Sequence, residues 1–209
     1  PAGWVECTLG DLAIPCTERV SPSDAPGVDY VGLEHVEPHT GLLVERGKAS
    51  EVRSSAGVFT AGQVLYGRLR PYLNKVWLAE GDGLCSSEFV VLEPLRINPA
   101  FLATRLRASD VVQFAMSFNV GVHRPRIRWP QLRALPMLLP PRAELDRIVE
   151  AIEAAMDAID GGVETVAEAQ RVVRQFRGQV LEAAVPRDGD PKPLKDLLRE
   201  PLRNGHSAK

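Results

Sequence analysis

Two hydrophobic rhythms divide the chain. From residue 1 to about 141, short apolar runs are broken by glycine and proline, and the runs at 29–36, 63–69, 75–79 and 88–92 predict short strands. Their apolar/polar alternation is imperfect, which points to a compact, irregular sheet. One helix is marked inside this region. Asn98 suits the N-cap and Pro99 the first helical position. Phe101, Leu102, Leu106, Val112, Phe114 and Met116 supply apolar faces, with a break expected near Ser109-Asp110 and an end before Gly121.

The rhythm changes at residue 142. Through about 184 no proline intervenes, and Leu145, Val149, Ile152, Met156, Ile159, Val163, Val166, Gln170 and Val173 alternate spacings of four and three. That is a heptad seam in which only Gln170 is polar. The pattern loosens through Phe176, Val180 and Leu181. Acidic residues (Glu144, Asp146, Glu150, Glu153, Asp157, Asp160) come first and Arg171, Arg174 and Arg177 later, the order that suits the helix dipole. Some forty residues at about 1.5 Å each reach roughly 60 Å. A seam that long needs a partner helix, in the same chain or in another. Gly161-Gly162 is its weak point, at about 1 kcal/mol per glycine relative to alanine. They read either as a hinge or as a place of close helix approach, and the unbroken register favours a continuous or gently bent helix.

Residues 186–191 form a linker by composition, and the tail that follows echoes the start of the chain: Leu194-Lys195-Asp196-Leu197 against Leu9-Gly10-Asp11-Leu12. The expected organisation is therefore a globular domain at 1–141, a heptad helix at 142–185, and at 186–209 a linker with the opening of a second domain. The fold class is α+β.

Composition adds little: 209 residues with 44% hydrophobic and 25% charged residues exclude a wholly disordered or fibrous chain. Cys7, Cys16 and Cys85 form no Cys-x-x-Cys pair, so a reducing, cytoplasmic setting is expected. No apolar run is long enough to span a membrane and no secretory signal is visible, so no membrane partner is expected. Catalytic motifs are missing too. There is no P-loop, no dinucleotide fingerprint and no nucleophile elbow. His35 and His39 are four apart but Pro38 lies between them, against a helical metal pair. No metal site, no catalytic residue and no enzyme activity are expected.

Charge changes the picture through its distribution. The net charge is only -2. Residues 101–142 nevertheless hold Arg105, Arg107, Arg124, Arg126, Arg128, Arg133 and Arg142 against Asp110 alone, and the acid-free stretch 66–75 holds Arg68, Arg70 and Lys75. Arginine's planar fork matches phosphates and guanine edges, so one shared basic face would bind nucleic acid even on a near-neutral protein. In an extended segment Arg124, Arg126 and Arg128 project to one side. The competing reading is a solvated arginine face pairing with the early acidic residues. Tyr66, Tyr72 and Trp77 read as packing aromatics rather than base-stacking ones.

Four stretches, in order, carry a resemblance. They are Gly3-Trp4-Val5-Glu6-Cys7-Thr8-Leu9-Gly10-Asp11-Leu12; the run 62–75 with Cys85-Ser86-Ser87-Glu88-Phe89; Leu135-Pro136-Met137-Leu138-Leu139-Pro140-Pro141; and Arg147-Ile148-Val149-Glu150 with the heptads. Together they resemble the DNA-sequence specificity subunit (HsdS-like) of Type I restriction-modification systems. Leu145-Asp146 departs from the Glu-Gln that often precedes the Arg-Ile-Val run in that family. Family members usually carry two recognition domains and two spacer helices, so the chain is expected to correspond to an N-terminal half.

The resemblance implies a compact mixed α/β target recognition domain followed by a long coiled-coil-forming spacer helix. It implies a non-catalytic role: reading one half of a bipartite double-stranded DNA target and docking methyltransferase subunits through the helix. The full complex would add a restriction/translocase subunit. S-adenosylmethionine would sit on the methyltransferase, with no cofactor on this chain. A homodimer through the helix is a further expectation. The expected DNA contacts are His123, Arg124, Arg126, Arg128, Arg68, Arg70, Lys75, Ser86, Ser87 and Asn119. The expected partner-helix seam is Leu145, Val149, Ile152, Met156, Ile159, Val163, Val166 and Val173. A different class also fits: an assembly scaffold whose heptad helix oligomerises without any reading of DNA.

Overall fold

The computed structural model describes residues 3–25, 27–95, 97–118 and 123–184. It divides into two compact units, Pro1–Ala155 and Met156–Lys209. In chain order the first unit opens with β1 (Val5–Thr8), the single helical turn α1 (Leu9–Leu12), β2 (Ala13–Cys16) and β3 (Arg19–Val20). There follow β4 (Asp29–Val31), β5 (Gly47–Lys48), β6 (Ala56–Phe59), β7 (Val64–Gly67), β8 (Val76–Leu78), β9 (Gly83–Cys85) and β10 (Phe89–Pro94). The helices α2 (Pro99–Leu106), α3 (Ser109–Ser117) and α4 (Trp129–Leu132), the strand β11 (Pro136–Leu139) and the long helix α5 (Arg142–Ala184) complete the order.

The strands form three sheets rather than one. Four strands pair in the order β2-β10-β7-β8 and five in the order β3-β6-β9-β4-β5, while β1 and β11 make a separate ribbon. Every pairing is antiparallel except β4 with β9. The four-stranded sheet is buried on both faces, and its side chains divide by parity. Val64, Tyr66, Val76, Val90 and Leu92 join Leu102, Leu106 and Val111 of the helices in one core. Leu65, Trp77, Phe89 and Val91 join Val31, Phe59 and Cys85 of the five-stranded sheet in a second. Near-continuous apolar runs follow from burial on both faces, and this is why alternation along the sequence was imperfect.

Three of the expected strands are present in shortened form, and the fourth, at 88–92, is shifted to Phe89–Pro94. The run 29–36 keeps only three residues as strand before a 3-10 turn at Leu33–His35, and β1, β2, β3, β5, β6 and β9 had no sequence signal strong enough to place. The expected single helix is two. Asn98 caps α2 as anticipated, its carboxamide oxygen accepting from the amides of Ala100 (2.8 Å) and Phe101 (3.3 Å). The break falls at residues 107–108. There Arg107 is drawn away to the Thr40 carbonyl (2.6 Å) and the Thr104 hydroxyl (3.2 Å).

The compact unit extends past the expected boundary at 141. Leu145 and Val149, the first two seam positions, lie in the first core with Leu9, Leu135 and Met137. The start of α5 thus packs on its own domain. Ile152 is half-buried. Helix α5 passes through Gly161-Gly162 without interruption, and the Thr165 hydroxyl donates to the Gly161 carbonyl (2.8 Å). Ile159, Val166 and Val173 are each more than half exposed, as is Phe176. The side chains of Met156 and Val163, and the whole of 185–209, lie outside the described residues. Among the described residues no helix is long and apolar enough to cross a membrane.

Candidate nucleic-acid interface

The arginine segment is extended because it pairs with the turn after β7. The Ile127 amide donates to the Arg68 carbonyl (3.1 Å) and the Arg70 amide to the Pro125 carbonyl (2.8 Å). The result is an antiparallel bridge between Leu69 and Arg126. Extended backbone sends alternate side chains to opposite sides. Pro125 and Ile127 are buried, and His123, Arg124, Arg126 and Arg128 are exposed. Ile127 is fully enclosed in the first core and anchors the strip. Two basic stretches more than fifty residues apart thus meet on one edge of the first unit.

The turn at 70–74 is built tightly. Arg70 (φ 51°) and Asn74 (φ 48°) both take the left-handed conformation around the 3-10 turn Pro71–Leu73. Such residues persist only when neighbours hold them. Asn74 is buried and donates to the Arg107 carbonyl (2.7 Å), and its own carbonyl accepts from the His39 amide (3.3 Å). Arg70 is held exposed at the corner. Tyr66 and Trp77 are core residues as expected, but Tyr72 is 42% exposed beside Arg70. Its assignment as a packing aromatic is corrected, since the turn carries it outward.

Glu88 was not anticipated as part of this edge. Its carboxylate accepts from Arg126 at two points, Nη2 (2.6 Å) and Nε (3.1 Å), and Arg68 Nε lies 3.8 Å away. Buried Arg68 Nε finds no hydrogen-bond acceptor among the described residues. The backbones are tied as well, the Arg68 amide donating to the Glu88 carbonyl (2.9 Å). The sequence signal existed, for Glu88 stands inside the 85–89 stretch that was singled out, but nothing local pointed to an arginine 38 positions away.

Other expected contacts have inward duties. The Lys75 ammonium donates to the Leu33 carbonyl (2.7 Å), and partial burial lowers its pKa against the opposing pull of Glu34. The Ser86 hydroxyl accepts from the Glu88 amide (3.2 Å) and hydrogen-bonds Tyr30. Both brace the adjoining loops. Ser87 lines a cleft of about 190 Å³ with Arg19, Arg68 and Trp129. Asn119 lies outside the described residues. The basic block 101–142 is not one face, because Arg105 forms a two-point pair with Asp110 (2.9 and 2.7 Å) and Arg107 is partly buried. Arg124 and Arg128 make no side-chain hydrogen bond to the described residues, which leaves their donors available at the exposed edge.

This arrangement defines a class: a double-cored α+β domain with an arginine-bearing edge, from which a long helix continues. The chain is HsdS-like, similar in sequence and fold to a part of the specificity subunits of Type I restriction-modification systems. It is 28% identical over 159 residues to the Type I restriction enzyme EcoDI specificity subunit of Escherichia coli, covering 73% of this chain and 35% of that one. The HsdS subunit from Thermoanaerobacter tengcongensis superposes with a TM-score of 0.68 at 26% identity, over 93% of this chain and 53% of that chain. A chain solved in work on complex assembly and conformational transition of the type I R-M system gives the same values. The chain thus spans about half the length of its solved relatives and about a third of the Escherichia coli subunit. No protein-family model matches it.

Proposed function

We propose that the chain is a non-catalytic specificity subunit, or part of one, that reads one half of a bipartite double-stranded DNA target in the cytoplasm. The target recognition domain is the first unit, and Arg124, Arg128 and Arg70 are its leading contacts, with His123 and Arg126 beside them. The observation that carries this reading is the Leu69–Arg126 bridge, which joins two basic stretches into one exposed edge. Arginines on such an edge attract phosphates by charge and distinguish bases by paired donors in the major groove. The heptad helix would form a coiled coil with a second helix, dock methyltransferase subunits and fix the distance to the other half-site. A second copy of the chain would supply that half in a symmetric dimer. S-adenosylmethionine would belong to the methyltransferase, and a restriction/translocase subunit would complete the assembly.

The scaffold reading has an observation in its favour as well: Glu88 occupies Arg126, and Ile159, Val166 and Val173 present an exposed apolar seam. A salt titration of duplex binding, with and without the methyltransferase partner, separates the two. DNA recognition predicts a linear fall of log affinity with log salt, and Arg124→Ala reduces the slope by about 0.9 if that side chain neutralises one phosphate. Binding that ignores salt, or that is unchanged by Arg124→Ala together with Arg128→Ala, would leave the scaffold reading standing.

A further inference from the structure

Glu88 places a negative charge between Arg126 and Arg68 on this edge. Through-space attraction for phosphate would be stronger without it. Its geometry points to a different use. Two carboxylate oxygens meet Nη2 and Nε of Arg126, and this two-point contact fixes the plane of the guanidinium as well as its position. The same carboxylate lies 3.8 Å from Arg68 Nε, close enough for charge attraction but not for a hydrogen bond, so the orienting contact is the one to Arg126. Glu88 is itself fixed, with its carbonyl bonded to the Arg68 amide and its amide to the Ser86 hydroxyl. The carboxylate side is mostly covered (22% exposed) while Arg126 remains 55% exposed. The acid lies beneath and the guanidinium faces outward.

A phosphate accepts a cation in almost any orientation, whereas a base edge accepts a fork only in the correct plane. A carboxylate that weakens attraction and fixes orientation therefore favours discrimination over general affinity. We propose that Glu88 is a specificity-determining positioning residue: it sets the plane of Arg126 so that this edge distinguishes one duplex sequence from another. The proposal rests on the DNA-recognition reading above and adds to it a division of labour. Arg124 and Arg128 supply attraction, and the Glu88-held Arg126 supplies selectivity.

The test uses the full 209-residue chain. Duplexes are selected from a random-sequence library by the unaltered chain. Affinities are then measured for a selected duplex and a shuffled one of equal composition. Glu88→Gln keeps the shape and removes the charge. It is expected to bind the shuffled duplex several-fold more tightly, while the selected-to-shuffled ratio falls by about tenfold, the scale of one oriented two-point base contact. Arg126→Lys keeps the charge and loses the fork, so it should lower the ratio similarly without tightening shuffled binding. If Glu88→Gln fails to melt cooperatively by circular dichroism, this exposed-site variant carries the test. The double variant should lose no more than either single one, because both break the same contact. A ratio unchanged in Glu88→Gln, or losses that multiply in the double variant, would overturn the proposal while leaving DNA recognition intact. An unaltered chain that selects no duplex, alone and with the methyltransferase partner present, would remove the recognition reading and this inference together.

Discussion

At the scale of single residues, burial decides which chemistry stays available. Cys85 is 1% exposed within the five-stranded sheet, and desolvation pushes its thiol up to about 12 despite the nearby Arg19. Cys7 and Cys16 are half-buried, and burial raises both, with Asp11 and Glu93 respectively adding to the effect. The thiolate is the reactive form, so a raised pKa and lost access act together. Alkylation of the native protein by iodoacetamide at pH 8 is expected to label Cys7 and Cys16 before Cys85, which should react only on unfolding. Peptide mass spectrometry reads the order, and early labelling of Cys85 would contradict the burial described here. The same logic sorts the arginines. Arg124 and Arg128 stand on the exposed parity of an extended strip, and Arg105 and Arg107 are engaged by Asp110 and Thr40. Residue type was legible in the sequence, but engagement was not, because each partner lies elsewhere along the chain or across a turn.

At the scale of elements, local rules were most reliable where the element supplies its own hydrogen bonds. Asn98-Pro99 announced a helix start, and the cap forms with both expected amide donors. Asn98→Ala should destabilise the first unit by about 1 kcal/mol in urea unfolding, since two amides lose their acceptor. An unchanged midpoint would mean that water replaces the cap without loss. The helix at 142–184 was legible for the same reason, and its glycines leave the backbone helical. Strands depend on partners. Short ones such as Arg19–Val20 and Gly47–Lys48 exist only because Ala56–Phe59 and Asp29–Val31 lie beside them, and two residues cannot signal that from within. Arg70, Tyr72 and Asn74 belong to the same lesson, for a left-handed corner closed by the Arg107 carbonyl turned an aromatic expected inside to the outside.

At the scale of the whole molecule, the two units carry different physics. The first unit encloses its apolar residues around a sheet covered on both faces. The second leaves Ile159, Val166, Val173 and Phe176 more than half exposed along one chain. A repeated apolar seam of this kind favours association with another helix. Replacing Ile159 and Val166 by serine is expected to weaken self-association, or uptake of the methyltransferase partner, across a concentration series in sedimentation velocity. The melting of the first unit should stay unchanged, because neither residue is among its core positions. Association unaffected by both substitutions would remove the seam from the assembly. Leu145 and Val149 behave differently, and their loss would destabilise the first unit itself.

The sequence by itself determined the boundary between irregular sheet and long helix, the capped start of α2 and the one-sided spacing of Arg124, Arg126 and Arg128. Each of these depends on intervals of a few residues, over which backbone geometry is periodic. Only the tertiary structure decided that residues 68–70 lie against 125–127, that Glu88 closes on Arg126, and that the first two heptad positions serve the domain's own core. Those outcomes depend on contacts between distant segments, chosen by the burial of Ile127, Leu145 and Val149 in one core, and no local pattern contains that choice.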